Sequence, residues 1–279
     1  MSQRILTARD IVTFQEYLQR EEKSAATVEK YVRDARAFLS FLGNKRVTKE
    51  MVVAYKNRLE EKGYAVRSIN SMLASVNSFL DYLGWTDCKV KHIKYQKRTY
   101  CTEEKELTKE EYMRLLHASK RMEQLNLIIQ TICGTGIRVS ELKYFTVEAV
   151  QNGEVSVRCK SKIRTILIPG KLVKLLLRYA GKKGIKTGAI FITRNGNPLD
   201  RSYIWAQMKG LCKEAGVNPA KVFPHNLRKL FARTFYGVEK DIAKLADILG
   251  HGSIETTRIY IMTTGMEHRR KIEQLGLVV

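Results

Sequence analysis

The amino-terminal third of the chain carries a nearly continuous helical pattern, which limits the possible folds more than any other feature of the sequence. In residues 27–42, apolar side chains recur at i, i+3, i+4 and i+7, and a glycine follows directly. Such spacing places them on one face of an α-helix, and glycine commonly follows a helix end. Similar patterns occupy about residues 7–18, 48–63 and 66–83. Four short helices with brief connections predict a small helical bundle over residues 1–87.

The helical pattern stops between residues 88 and 107. The segment KVKHIKYQKR, residues 89–98, carries five lysine and arginine side chains and no acidic one. We predict that residues 88–107 are a basic linker. Two interpretations stay open: a solvated basic loop, or a strap that lies along the phosphates of a nucleic acid.

The remaining residues, 108–279, predict a second domain made of helices and one hairpin. The capping box Thr108–Glu111 begins its first helix. Apolar and polar side chains alternate over residues 154–168, which indicates a β-hairpin whose turn contains Lys160–Lys162. A short strand is predicted at 189–193. Further helices are predicted at about residues 122–133, 139–145, 201–215, 225–236, 239–249, 254–264 and 266–275. The predicted fold class is mainly α with a small β-sheet.

The charge balance indicates a polyanionic partner. Fifty lysines and arginines oppose 28 aspartates and glutamates, which leaves a net charge of +22 at pH 7. Such an excess opposes compaction unless a polyanion is bound, so nucleic acid is the leading candidate. The five cysteines include no CxxC pair, which argues against a disulfide framework and a zinc ribbon. Because the chain shows neither a signal-peptide pattern nor a run of about 18 apolar residues, we expect a cytoplasmic, nucleoid-associated protein with no membrane partner.

A set of residues in the second domain carries the chemistry. Arg138 follows a glycine-rich turn, His225 and Arg228 lie one helical turn apart, and His251 follows Gly250. Each piece alone has an ordinary explanation as a surface ion pair, a helix cap or a core side chain. The combination in one chain is what indicates a site. In order, its members are Arg138, Glu141, Lys160, His225, Arg228, His251 and Tyr260.

These residue types suit the breakage of a phosphodiester. Two guanidiniums can each hold phosphate oxygens in bidentate fashion and neutralise a pentavalent transition state without a metal. A tyrosine phenol is a poor nucleophile at its usual pKa of about 10, but beside such cations its oxygen can attack phosphorus. A lysine can protonate the departing 5′-oxygen, and a histidine can take or return the tyrosine's proton. No cluster of acidic residues suggests a metal, so we expect neither a metal nor a cofactor.

The order R…K…HxxR…H…Y resembles that of the tyrosine recombinase (phage integrase) family. Three stretches carry the resemblance: GTGIRVSEL, HNLRK and LGHGSIETTRIY. It covers nearly the whole chain and implies a helical, SAM-like core-binding domain that binds DNA, followed by a mixed α/β catalytic domain. In the second stretch, Lys229 replaces the last histidine of the family's HxLRH box, a position outside the chemical set.

The resemblance also implies a role for each site residue. Tyr260 is the expected nucleophile, Lys160 the expected general acid, and Glu141 the residue that orients Arg138 without touching the substrate. The hairpin departs from the family's GKGxKxR turn, because CKSKIR lacks both glycines and has one residue fewer between the lysines. Lys162 therefore stays the rival of Lys160.

The implied activity is site-specific DNA recombination through a 3′-phosphotyrosine intermediate and a Holliday junction, without ATP. The implied partners are double-stranded DNA with inverted-repeat arms, three further copies of this chain or a related recombinase on two sites, and a directionality factor. The tail after Tyr260 would dock on a neighbouring protomer. Two alternatives stay open: a monomeric type IB topoisomerase, and a DNA-binding accessory protein without catalysis. The biological task, whether integration, excision, inversion or dimer resolution, is not readable from these residues.

Overall fold

The computed structural model describes residues 4–95, 106–159, 162–262, 269–270 and 272–277. Within it the chain forms two compact units, Met1–Lys97 and Arg98–Val279. Both units are mainly helical, as predicted. In the described part of the chain, no helix is long and apolar enough to cross a membrane.

The first unit is the predicted four-helix bundle. Polar side chains begin three of its helices, since Thr7, Ser24 and Thr48 each accept a hydrogen bond from a backbone N–H of the first turn. Phe14, Phe38 and other apolar side chains of the helices fill a continuous core. The four helices are α1 (Ala8–Arg20), α2 (Ala25–Leu42), α3 (Lys49–Glu61) and α4 (Val66–Tyr82).

The chain after α4 stays attached to this bundle for several residues. A short 3₁₀ helix, Thr86–Cys88, follows α4. Asn77 then exchanges two hydrogen bonds with the backbone of Val90, at 2.9 and 3.1 Å. Asn70 does the same with Ile93, at 2.9 and 2.8 Å. The first part of the predicted linker therefore lies along α4, and residues 96–105 of that linker are outside the described residues.

Among the described residues of the second unit, nine helices and a hairpin surround one large apolar core. The helices are α5 (Lys109–Ala118), α6 (Glu123–Thr135), α7 (Val147–Gln151), α8 (Gly170–Lys182), α9 (Arg201–Gly210), α10 (Cys212–Ala215), α11 (Pro224–Glu239), α12 (Ile242–Leu249) and α13 (Ile254–Ile261). Short 3₁₀ helices cover Ser119–Arg121, Val139–Tyr144 and Pro219–Lys221. Thr108 and Glu111 form the predicted capping box at the start of α5.

The hairpin consists of β1 (Glu154–Cys159) and β2 (Lys162–Leu167), which pair antiparallel. Val155, Val157 and Ile166 are buried, so one face of the hairpin packs on the core. Lys162 lies in β2 and pairs with Cys159, whereas the predicted turn includes it. The turn residues themselves, 160 and 161, are outside the described residues.

Two other expectations for this unit need correction, and two of its helices were not predicted. The predicted strand at 189–193 is absent: Ala189 and Ile192 form only isolated bridges, to Thr146 and Pro198. Ile190 and Phe191 are buried in the core, which explains their apolar character without a ladder. The segment Val139–Tyr144 is a 3₁₀ helix and not an α-helix. Two helices, α7 and α8, lie outside the predicted elements.

Candidate active site

Two glycine turns bring the site's segments together. Gly136 ends α6 with a φ of 66°, and a Cβ there would overlap the ring of Phe231 on α11. Gly250 ends α12 with a φ of 61°, and a Cβ there would lie 2.7 Å from Cδ of Arg164. Only glycine fits a backbone that combines positive φ with so close a neighbour. The two turns therefore let α11 and β2 pass directly against the ends of α6 and α12.

Arg138 stands just after the first of these turns and is paired with Glu141. Its Nη1 donates to Glu141 Oε1 at 3.0 Å, and its backbone N–H donates to Oε2 at 2.7 Å. Its Nη2 donates to the carbonyl of Gly250 at 3.3 Å. The Arg138 side chain keeps 35% of its surface exposed, while that of Glu141 keeps 5%. Arg138 can therefore meet an anion from solvent, and Glu141 lies buried behind it.

Arg228 is the most deeply buried cation among the described side chains of the site. Only 1% of its surface is exposed. Its Nη1 donates to the carbonyl of Gly136, and its Nη2 donates to that of Leu249 at 2.6 Å and lies 3.1 Å from His251 Nε2. Burial lowers the pKa of Arg228 to about 10, and the nearby charge of Arg138 acts in the same direction. At neutral pH the guanidinium stays charged and fixed between two helix ends.

His251 is held from both ring nitrogens. Nδ1 lies 2.9 Å from the hydroxyl of buried Thr257, and Nε2 lies 3.1 Å from Arg228 Nη2. An arginine can only donate, so Nε2 accepts and the proton of the neutral ring resides on Nδ1. Burial, followed by the charges of Arg228 and Arg138, lowers the pKa of His251 to about 4. The imidazole is therefore neutral at physiological pH.

Tyr260, on α13, lies against both histidines and Arg228. The centroid of its ring is 5.0 Å from that of His225, in an edge-on arrangement, and 4.7 Å from that of His251. The guanidinium carbon of Arg228 is 5.9 Å from the same centroid. Only 8% of Tyr260 is exposed. Burial, together with surrounding lysine and arginine charges, lowers the pKa of His225, which favours its neutral form as well.

The structure brings six of the seven predicted site residues together and leaves one undescribed. Lys160 lies outside the described residues, and for Lys162 only the backbone is described, so the choice between the two stays open. Lys229, the departure from the family's box, donates to Glu106 Oε1 at 3.1 Å and faces that buried carboxylate. This contact agrees with a place for Lys229 outside the chemical set.

Two participants are not among the predicted residues. Arg164, on β2, donates to Glu141 Oε2 at 2.5 Å, and Thr257 holds the ring of His251. The sequence offers a signal for Arg164, because CKSKIR ends on this residue where the family's GKGxKxR turn also has an arginine. Thr257 gives no such signal, since a threonine within an amphipathic helix is unremarkable in sequence.

The arrangement can stabilise developing negative charge beside a phenol. The guanidiniums of accessible Arg138 and buried Arg228 lie within the same site as two neutral imidazoles and the tyrosine. Neutral imidazoles can accept a proton, and fixed cations favour an anionic transition state in a poorly hydrated environment.

Comparisons with known proteins find matches along nearly the whole chain. The Phage integrase family model matches residues 105–265, and the model for the phage integrase N-terminal SAM-like domain matches residues 11–87. The chain is 28% identical to tyrosine recombinase XerA of Pyrococcus furiosus, over 100% of this chain and 98% of that protein. It is 28% identical to tyrosine recombinase XerD of Halalkalibacterium halodurans, over 85% and 87% of the two chains.

Solved structures show the same fold. A crystal structure of XerA recombinase matches with a TM-score of 0.54 and 26% identity, over 95% of this chain and 97% of that one. A lambda integrase dimer bound to a COC′ core site matches with a TM-score of 0.74 and 18% identity, over 94% and 96%. A lambda integrase tetramer bound to a Holliday junction matches with a TM-score of 0.72 and 18% identity, over 93% and 78%.

Proposed function

Because the chain belongs to the phage integrase family, we propose that it is a tyrosine recombinase that cleaves and rejoins DNA at specific sites. The observation that carries this proposal is the position of Tyr260 against Arg228 and two neutral histidines, with Arg138 beside them. These groups suit attack on a phosphodiester by a phenol. The enzyme's intermediate is a 3′-phosphotyrosine, and its strand exchange passes through a Holliday junction.

The arginines act on the charge of the phosphate. Arg138 is exposed enough to bind a non-bridging oxygen on arrival, and Glu141 keeps it in place. Arg228 is fixed by two backbone carbonyls, so it needs no reorganisation when charge develops. Such preorganised donors lower the barrier more than mobile ones.

Tyr260 then forms the new bond to phosphorus while the bond from phosphorus to the 5′-oxygen breaks. His225 receives the phenolic proton, since its lowered pKa keeps it neutral and its ring lies next to that of Tyr260. His251 already uses Nε2 toward Arg228, which suits it to a supporting position. Lys160, with Lys162 as its rival, protonates the departing 5′-oxygen. The free 5′-hydroxyl of a partner strand later reverses these steps.

The proposal extends to domains and assembly. Residues 1–87 form the core-binding domain, residues 88–107 join it to the rest, and residues 108–279 form the catalytic domain with its tail. Four copies, or two with a related recombinase, act on two duplexes with inverted-repeat arms, in the cytoplasm and at the nucleoid, with a directionality factor as a further partner. The relation to lambda integrase, which is solved as a tetramer on a Holliday junction, supports this assembly.

Covalent trapping tests the activity. Nicked duplexes drawn from the chain's own genomic neighbourhood are incubated with the protein, and a denaturation-resistant adduct is sought. We expect the adduct with the wild type, its loss in Tyr260→Phe, and its retention in Tyr236→Phe, which alters another tyrosine of the same cluster. Tight binding without any adduct would contradict the proposed activity, and an adduct in Tyr260→Phe would contradict the nucleophile.

Truncation tests the assembly. Ile272, Leu275 and Leu277 of the tail are more than half exposed, which suits docking on a neighbouring copy. Deletion of residues 266–279 should reduce tetramer formation and junction resolution, while a single protomer still binds a half-site. Unchanged assembly and resolution would show that the tail has no such role.

A further inference from the structure

Arg164 is a cation on the buried face of the hairpin. It pairs with Val157 across the two strands, and buried Ile166 follows it on the same face. Its side chain keeps only 11% of its surface exposed. Burying a guanidinium costs free energy unless its donors find acceptors, so its partners indicate why an arginine occupies this position.

The partners of Arg164 are parts of the active site. Nη2 donates to Glu141 Oε2 at 2.5 Å, and Nη1 donates to the carbonyl of Ile248 at 2.7 Å. The aliphatic part of the side chain crosses Gly250, where a Cβ would lie 2.7 Å from Cδ. One side chain thus connects β2, the 3₁₀ helix that carries Glu141, and the turn that carries His251.

Sharing Glu141 decides what Arg138 can do. A carboxylate that faces a single arginine tends to take two parallel N–H bonds from its guanidinium. Here Oε2 is occupied by Arg164 and by the backbone N–H of Arg138, so the Arg138 guanidinium reaches Glu141 only through Nη1 and Oε1. Its Nη2 is directed to the carbonyl of Gly250. Arg164 also offsets the negative charge of Glu141, which would otherwise weaken the positive potential at Arg138.

We propose that Arg164 is a positioning residue, which holds Glu141 and the Gly250–His251 turn so that the Arg138 guanidinium meets the scissile phosphate. This assignment rests on the proposed recombinase function. Arg164 itself does not touch the substrate; it acts through Glu141 and the turn.

Three variants separate this role from a general contribution to folding. Arg164→Gln removes the charge, and Arg164→Lys keeps a charge near Glu141 but loses the planar fork that reaches both Glu141 and Ile248. Arg178→Gln removes an exposed arginine of α8 and is the matched control for net charge. Thermal melting establishes whether each variant is folded. If Arg164→Gln does not fold, Arg164→Lys is used for the test.

Single-turnover cleavage is measured at saturating protein on the nicked site recovered by trapping, with release of the 5′-hydroxyl fragment as the readout. We expect Arg164→Gln to cleave at least about ten-fold more slowly while binding within about three-fold of the wild type. Binding loses one phosphate contact among many, whereas the transition state loses compensation of its developing charge. Arg164→Lys should fall between the two, and Arg178→Gln should match the wild type.

A neutral phosphate distinguishes positioning of Arg138 from other roles. In a substrate whose scissile phosphate carries a methyl group in place of one non-bridging oxygen, there is no negative charge for Arg138 to neutralise. The defects of Arg138→Ala and of Arg164→Gln or Arg164→Lys should both shrink on this substrate. A substrate whose 5′-bridging oxygen is sulfur needs no general acid, and it should leave the Arg164 defect unchanged.

Several outcomes overturn the assignment. Wild-type cleavage by Arg164→Gln does so directly. An Arg164 defect that persists on the neutral phosphate, while that of Arg138→Ala shrinks, shows that Arg164 does not act through Arg138. If the bridging sulfur restores cleavage by the Arg164 variants, Arg164 instead acts through the general-acid lysine of the hairpin. If the wild-type chain forms no adduct, the proposed function itself fails and this assignment falls with it.

Discussion

At the scale of single residues, the site retains a charge that folding alone disfavours. Arg228 is almost fully buried, and its pKa falls from 12.5 to about 10 because of burial and the nearby Arg138. A shift of this size corresponds to about 3 kcal/mol against the charged form, at about 1.4 kcal/mol per pKa unit. Its hydrogen bonds to Gly136 and Leu249 offset part of that cost. This cost fits the proposed role of Arg228 in the reaction.

Arg228→Met tests this balance. The substitution removes the cost of burying a charge, but it also leaves two backbone carbonyls without their hydrogen-bond partner. Because these effects oppose each other, the free energy of unfolding should change by less than about 2 kcal/mol. Cleavage should fall by about a thousand-fold or more, because the transition state loses a preorganised donor. Urea unfolding and single-turnover cleavage measure the two effects. A loss of stability above about 4 kcal/mol would show that Arg228 holds the fold together.

Protonation of His225 should set the acid limb of the pH dependence of cleavage. Under the proposed mechanism the neutral imidazole of His225 accepts the proton, so the rate should fall as acid protonates it. Because the pKa of His225 is lowered in the folded protein, the acid limb of the cleavage rate should have its midpoint below the ordinary value of about 6.5. Single-turnover rates at subsaturating protein, which report the DNA-free enzyme, measure this midpoint between about pH 4.5 and 8. A midpoint at or above the ordinary value would contradict His225 as the proton acceptor.

Most site residues, but not their contacts, could be predicted from the sequence. Arg138, His225, Arg228, His251 and Tyr260 stand in a recognisable order, and the structure brings them together. The sharing of Glu141 by two arginines joins positions 23 residues apart. No local pattern specifies such a contact, since it depends on how β2 packs against the 3₁₀ helix.

At the scale of elements, helices with clear periodicity were predictable and short or irregular ones were not. The bundle α1–α4 follows from local spacing and caps. Buried Leu172, Leu176, Tyr179 and Ala180 give α8 the same kind of spacing, so that helix was predictable in principle. The apolar run at 189–193 could not be distinguished from a strand, because burial in a core without a ladder produces the same composition.

The turn that ends α6 requires glycine at position 136, and the loss of stability on replacing it can be measured. Gly136 and Gly153 both have positive φ, but only at Gly136 would a Cβ meet a neighbour, the Phe231 ring. Gly153→Ala should lower the free energy of unfolding by about 1 kcal/mol from backbone strain alone. Gly136→Ala should lower it by about 2–4 kcal/mol, because overlap adds to strain. Urea unfolding compares them, and equal losses would show that Phe231 moves aside freely.

At the scale of the whole molecule, the net charge of +22 determines how the protein finds DNA. Phosphate contacts by many lysines and arginines release condensed counterions, so DNA binding should weaken by about a hundred-fold or more between about 50 and 200 mM salt. Fluorescence anisotropy with a labelled duplex measures the slope. A flat response would contradict a broad phosphate interface.

Because the protein is so basic, the burial of Tyr260 affects how often it can cut DNA away from its target site. A strongly basic protein spends much of its time on DNA that is not its target, and it passes many phosphodiesters during the search. A phenol that faced solvent beside two arginines would meet a breakable bond at each encounter. With Tyr260 packed against two imidazoles and Arg228, and only 8% exposed, its side chain presents little surface to passing DNA. A nucleophile with so little exposed surface meets few of the phosphodiesters that the protein passes, which limits stray nicks.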